Sequence, residues 1–150
     1  MPTFEQHFDQ ASRNKTFLDD FIFKKHHDWA VTVMFYTSLH LIEALMYKEV
    51  NRLRSEGSWG GLEIDCSNHD ERDRQVKEIL KEVHFPYTQL RKTADSGRYK
   101  VYIFRPKEVF VSYNEHFVPV VNFFNEYCKK YGLKTDFKMS KLTFDLSGAK

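Results

Sequence analysis

The sequence predicts an all-α fold, a bundle of about five helices over residues 1–133 followed by an extended tail over residues 134–150. Three observations predict it. Apolar residues recur at three- and four-residue steps over long stretches, whereas two-residue alternation appears only loosely, in 137-FKMSKLTFDL-146. The stretch 28-DWAVTVMFYTSLHLIEALMY-47 is apolar nearly all round, the pattern of a helix surrounded by others. Capping residues, glycines and prolines punctuate the chain at helix-length intervals, with no internal repeat and no low-complexity segment.

The first helix is expected over Phe4 to Lys24. Thr3 and Gln6 are spaced as a capping box, and Phe4, Phe8, Ala11, Leu18 and Ile22 share its inner face. The second is expected to start after Asp28, a good N-cap, and to reach about Val50. Ala30, Val33, Thr37, Leu41, Ala44 and Leu45 cover one side of it; Trp29, Tyr36, His40 and Tyr47 cover another. Gly57, Gly60 and Gly61 make 51–67 the expected loop. A third helix opens at Asn68, with Glu71 as the second half of a capping box, and runs to about Val83.

Pro86 suits the first turn of a short fourth helix, and Gly97 its C-terminal stop. Pro106 starts a long fifth helix ending before Gly132. Its stripe is Phe110, Tyr113, Phe117, Val121, Phe124, Cys128 and Tyr131, with Pro119 expected to kink it. The tail is expected to be an extended arm or a short strand.

Composition narrows the function classes. Aromatics are 16% of the residues, with 14 phenylalanines, so the chain has ample material for a core. The net charge of +2 does not by itself call for nucleic acid. Its distribution is more informative: Arg91, Lys92, Arg98, Lys100, Arg105 and Lys107 cluster, with Tyr99 and Tyr102 among them. Such a run suits a phosphate backbone, and it equally suits a solvated surface. Cys66 and Cys128 lack C-x-x-C spacing and read as reduced thiols. No apolar run was expected to approach a membrane span and no signal pattern opens the chain, so a cytoplasmic protein with no membrane association is expected.

The most pointed local feature is 68-NHDER-72. The inward stripe Val76, Ile79, Leu80, Val83 extends back by helical steps to Arg72 and His69, which are neighbours at the edge of the core. An imidazole exchanges a proton near neutral pH and a guanidinium holds a phosphate through two parallel hydrogen bonds, so the pair suits cleavage of an RNA phosphodiester. It equally suits an ion pair and a helix-end decoration. His40 reads first as a core group satisfied by Tyr36, Glu43 or a backbone carbonyl, and Trp29 as packing. His26 and His27 are adjacent and do not face one point; neither H-E-x-x-H nor Glu-x-x-His occurs, and His40 and Glu43 stand in the reverse order. No metal or cofactor is expected, and no Gly-rich phosphate cradle is present.

The stretches 26-HHDWAVTVMFYTSLHLIEAL-45, 69-HDER-72, 87-YTQL-90 and 96-SGRYKVY-102 together resemble prokaryotic HEPN domains, over roughly Phe4 to Tyr131. The resemblance implies a small helical bundle, frequent homodimers and, in many members, metal-independent RNA cleavage in toxin–antitoxin or antiviral settings. Those members carry an Arg and a His as R-x(4–6)-H. This chain departs from that pattern, since Arg74 to His84 and Arg105 to His116 are too far apart. What matches instead is an H-x-x-R feature at His69 and Arg72, with Arg98 and Tyr102 in the following element.

Two function classes follow. The first is a protein that binds RNA or a nucleotide through Arg98, Tyr99, Lys100 and Tyr102, with His69 and Arg72 as candidate catalytic groups of an endoribonuclease. Trp29, Tyr36, His40 and Glu43 would support them from the core. The second is a non-catalytic dimerisation or interaction module, with a nucleotidyltransferase-type protein as the partner the resemblance implies. A metal-dependent bundle enzyme is the least supported class.

Overall fold

Residues with long apolar side chains at three- and four-residue steps need a partner surface on each side, and the second helix supplies it. The computed structural model describes residues 2–19, 26–58, 68–100 and 103–139. It contains α1 (Phe4–Phe17), α2 (His27–Ser55), α3 (His69–Ile79), α4 (Lys81–Tyr99), α5 (Pro106–Val111), a π-helical turn (Ser112–Phe117) and α6 (Val118–Lys130). The last three form one continuous rod, so the architecture is all-α with five rods and, among the described residues, no strand.

α2 touches each of the other helices. Met34, Phe35, Leu41, Ile42, Leu45 and Met46 on it are fully buried, against Leu18, Val76, Leu90, Phe117 and Phe124 from its neighbours. An 18-residue stretch of α2 has a mean hydropathy of 1.3 and is long and apolar enough to cross a membrane, which corrects the sequence expectation; 83% of that stretch is buried inside the bundle, as befits a central helix.

The expected capping box of α1 forms: Thr3 Oγ1 accepts from the Gln6 N–H at 3.3 Å, and the Thr3 N–H donates to Gln6 Oε1 at 2.8 Å. Ile22 and the expected end at Lys24 lie outside the described residues. α2 begins at His27 with His26 as its N-cap residue, earlier than the Asp28 cap expected. It also continues through the first five residues of the expected loop, to Ser55. Its stop is Gly57, at φ +68, where Ser58 N–H reaches Leu53 O at 2.9 Å and Gly57 N–H reaches Arg54 O at 3.1 Å. The helix thus ends later than the glycines suggested, because the terminator is the left-handed cap and not the first break in periodicity. Residues 59–67, including Cys66, lie outside the described residues.

The third helix ends at Ile79 and not at Val83. Leu80, at φ −123 and ψ 55, breaks it, and α4 starts at once with Lys81. Val76, Leu80 and Val83 keep helical spacing across the break and are all buried, so periodicity alone could not see it. Pro86 therefore falls inside α4, and Gly97 does not stop it. Gly97 instead admits Phe104: a Cβ there would lie 2.6 Å from Phe104 Cε2.

Pro106 opens α5 as expected, with Glu108 Oε2 accepting the Arg105 N–H at 2.7 Å. Pro119 perturbs the rod as a π turn, with Val118 N–H bonded to Tyr113 O, five residues back. A proline gives no N–H to the preceding turn, and widening that turn absorbs the loss. Residues 133–139 of the tail form no helix or strand, but Phe137 is buried and its backbone pairs twice with the Asn125 amide, at 2.9 and 3.0 Å. That part of the arm is docked. The rest lies outside the described residues.

Candidate functional site

The site is built at the N-terminus of α3. Asn68 Oδ1 accepts from the N–H groups of Asp70 and Glu71, at 2.9 and 3.3 Å, and so fixes where the helix begins. That start makes His69 the first helical residue and places Arg72 one turn on, facing α2. Glu71, expected to complete a capping box, takes Arg74 Nε at 3.0 Å and Gln75 Nε2 at 3.3 Å. α4 braces the same turn: Arg91 donates to Asp70 at 2.8 Å, to Asp73 at 2.5 Å and to the His69 carbonyl at 3.2 Å.

His69 and Arg72 meet as the spacing predicts, with Arg72 Nη1 3.0 Å from His69 Nδ1. A guanidinium has no acceptor, so the hydrogen bond runs from Arg72 to an unprotonated Nδ1 and assigns the ring proton to Nε2. Burial, then the charges of Arg72 and Arg91, hold the His69 pKa below its usual value, with Asp95 opposing. His69 is therefore a neutral ring whose one lone pair is already engaged. It presents an N–H donor through Nε2. Arg72 is only 4% exposed and its Nη2 lies 2.8 Å from Glu43 Oε1. Its charge is therefore paired inside the protein.

Glu43, expected as a supporting residue, is the centre of this cluster. Its second oxygen, Oε2, lies 3.2 Å from His7 Nδ1 and 3.6 Å from His40 Nδ1. The two imidazole nitrogens are themselves 3.2 Å apart. His7 and Glu43 are 5% exposed and His40 is half-buried. Burial, with the charges of His40 and Arg72, pushes the His7 pKa down to about 4, and burial with Arg72 lowers that of His40. Both rings are thus neutral near pH 7. His7 Nε2 is buried with no hydrogen-bond partner among the described residues.

His7 is the residue the sequence reading missed. The signal was there, since it falls on the inner stripe of α1 between Phe4 and Ala11. A cluster of donors that could hold a metal was also missed, because spacing rules look within one helix. Here one donor comes from α1 and two from α2, and the three donor atoms lie within 4.8 Å of one another.

The outer wall is a guanidinium among aromatic rings. Arg98 Nη1 donates to the Tyr36 hydroxyl at 2.6 Å, and Nη2 pairs with Asp95. Its guanidinium carbon lies 5.6 Å from the Phe35 ring centroid, 5.3 Å from that of Tyr36 and 5.1 Å from that of Tyr99. Phe35 also joins this wall to the inner cluster, with its ring 5.9 Å from that of His69. Tyr99 is 75% exposed and Lys100 is exposed beside it, whereas Tyr102 lies outside the described residues.

Trp29 was expected in the core but is 60% exposed. It sits in the first turn of α2 and flanks a shallow groove of about 350 Å³, which Phe17, Tyr36 and His40 also line. A larger groove of about 670 Å³ shares no residue with the site; Glu78, Glu82 and Glu126 make it ill suited to phosphate. Compared with models of protein families, with curated proteins and with solved structures, the chain matches none.

Proposed function

We propose that this chain is a HEPN-like helical domain that binds RNA or a nucleotide on the platform formed by Tyr36, Arg98 and Tyr99, with Lys100 at its edge. The observation that carries this reading is the Arg98 guanidinium set between two tyrosine rings, one of them 75% exposed. An exposed aromatic face stacks a base regardless of its identity, and an adjacent cation meets the phosphate. The His69 Nε2–H adds a donor from the neighbouring helix end.

Binding is favoured over cleavage by the same geometry. A proton abstraction from a ribose hydroxyl needs a free lone pair, and the His69 Nδ1 accepts from Arg72.

Anisotropy titration of a labelled single-stranded RNA tests the proposal. Tyr99→Ala is expected to weaken binding by about 1–3 kcal/mol, the worth of one stacked base. Arg98→Ala is expected to make the slope of log affinity against log salt shallower by about 0.7, as for one cation on a single strand. Unchanged affinity in both variants ends the reading. With EDTA present the RNA is expected to stay intact; cutting by the unmodified chain but not by His69→Ala would replace binding with endonuclease activity.

A second reading rests on Phe17 and Trp29, 52% and 60% exposed on either side of the α1–α2 groove. Exposed aromatics of this kind are enriched at protein interfaces, and a homodimer through this face is the form we infer. Light scattering that gives a monomer at high concentration excludes it.

A further inference from the structure

We propose that His7, His40 and Glu43 form a binding site for a first-row divalent metal ion such as Zn²⁺, held between α1 and α2. An ion about 2.0–2.2 Å from nitrogen and oxygen donors sets those donors about 2.8–3.6 Å apart, for ligand angles between square and tetrahedral. The three separations here are 3.2 Å between the two Nδ1 atoms, 3.2 Å from His7 to Glu43 Oε2 and 3.6 Å from His40 to Glu43 Oε2. The triangle has the size that one ion would impose.

Its chemistry has the same sense. An imidazole nitrogen and a carboxylate oxygen each offer a lone pair to a cation, and the two Nδ1 atoms lie against one another and against Glu43 Oε2.

The donors are also held as ligands are. Arg72 Nη2 lies 2.8 Å from the far oxygen of Glu43 and orients the carboxylate; ligating carboxylates are characteristically held by such a partner. Two imidazole nitrogens and one carboxylate select zinc, iron or cobalt over calcium and magnesium, which take oxygen. Three protein ligands leave a position for water. His40 is 24% exposed and borders the groove of about 350 Å³, which gives an ion a path in. None of this depends on the RNA-binding platform, which uses other residues.

The test uses the full chain, stripped with a chelator and titrated with Zn²⁺, with Co²⁺ as a spectroscopic probe. One equivalent retained through gel filtration is expected, together with visible Co²⁺ bands and a rise in Tm on adding Zn²⁺. His7→Ala and His40→Ala are each expected to weaken retention by at least about tenfold and to abolish the Tm response, whereas His84→Ala, on α4, keeps both. If His7→Ala fails to fold, His40→Ala, at the more exposed position, decides alone. No stoichiometric retention of Zn²⁺, Co²⁺ or Fe²⁺ by the unmodified chain overturns the proposal. So does retention unchanged in His40→Ala, which would place the ion elsewhere.

Discussion

Glu43, itself buried, faces a buried guanidinium from α3, a buried imidazole from α1 and the half-buried His40 of its own helix. A buried ion pair gains little over an apolar replacement, but removing one partner strands the other. Glu43→Ala is therefore expected to lose about 3–5 kcal/mol of unfolding free energy in urea. The double variant Glu43→Leu with Arg72→Met is expected to recover most of that loss. Equal losses for the single and double variants would mean that the pair is not closed from solvent. At this scale the sequence was half legible. His69–Arg72 could be read because its two members are one helical turn apart. His7 could not be joined to His40, since that contact spans 33 positions and depends on how α1 docks. Tyr36 and Arg98, 62 positions apart, meet for the same kind of reason.

α3 is short, from His69 to Ile79, and most of its orientation is set at its first turn. Asn68→Ala removes the acceptor for two backbone N–H groups and is expected to cost about 1 kcal/mol. The amides of Asp70 and Glu71 should then exchange hydrogen faster, while those of α6 stay unchanged. Equal exchange in both helices would show that the cap does not hold the turn. Caps of this kind were readable from residue types, as Thr3, Asn68 and Pro106 show. Ends set by packing were not. The Leu80 break hides within a continuous apolar stripe, and Gly97, a stop by its residue type, is used for contact with Phe104.

For the molecule as a whole, the far end of α2 is tied to α6 by Glu49. Its carboxylate accepts from Arg52 at 2.5 and 3.1 Å and from the Tyr127 hydroxyl at 2.7 Å. Arg52, against some opposition from burial, and then Tyr127 and the charge of Lys130 hold the Glu49 pKa below its ordinary value of 4.5. A carboxyl depressed in the folded state stabilises fully above its unfolded pKa, and that stabilisation is lost as pH falls through the folded one. Denaturation between pH 6 and pH 3 should therefore show the unmodified chain losing more stability than Glu49→Gln, with the gap closing below about 4.5. Parallel curves would remove the tie. The five-rod class was legible at this scale because the first five turns of α2 are apolar nearly all round, which a surrounding bundle satisfies.

The π turn before Pro119 has a consequence for length. It holds one residue more than an α-helical path over the same rise, and it absorbs that residue locally, so Val121, Phe124 and Cys128 stay on the buried side. A chain of this fold with an ordinary residue in place of Pro119 would have no use for the surplus. It should tolerate a one-residue deletion between Ser112 and Phe117, whereas the same deletion within α6 would rotate the rest of that helix by about 100°.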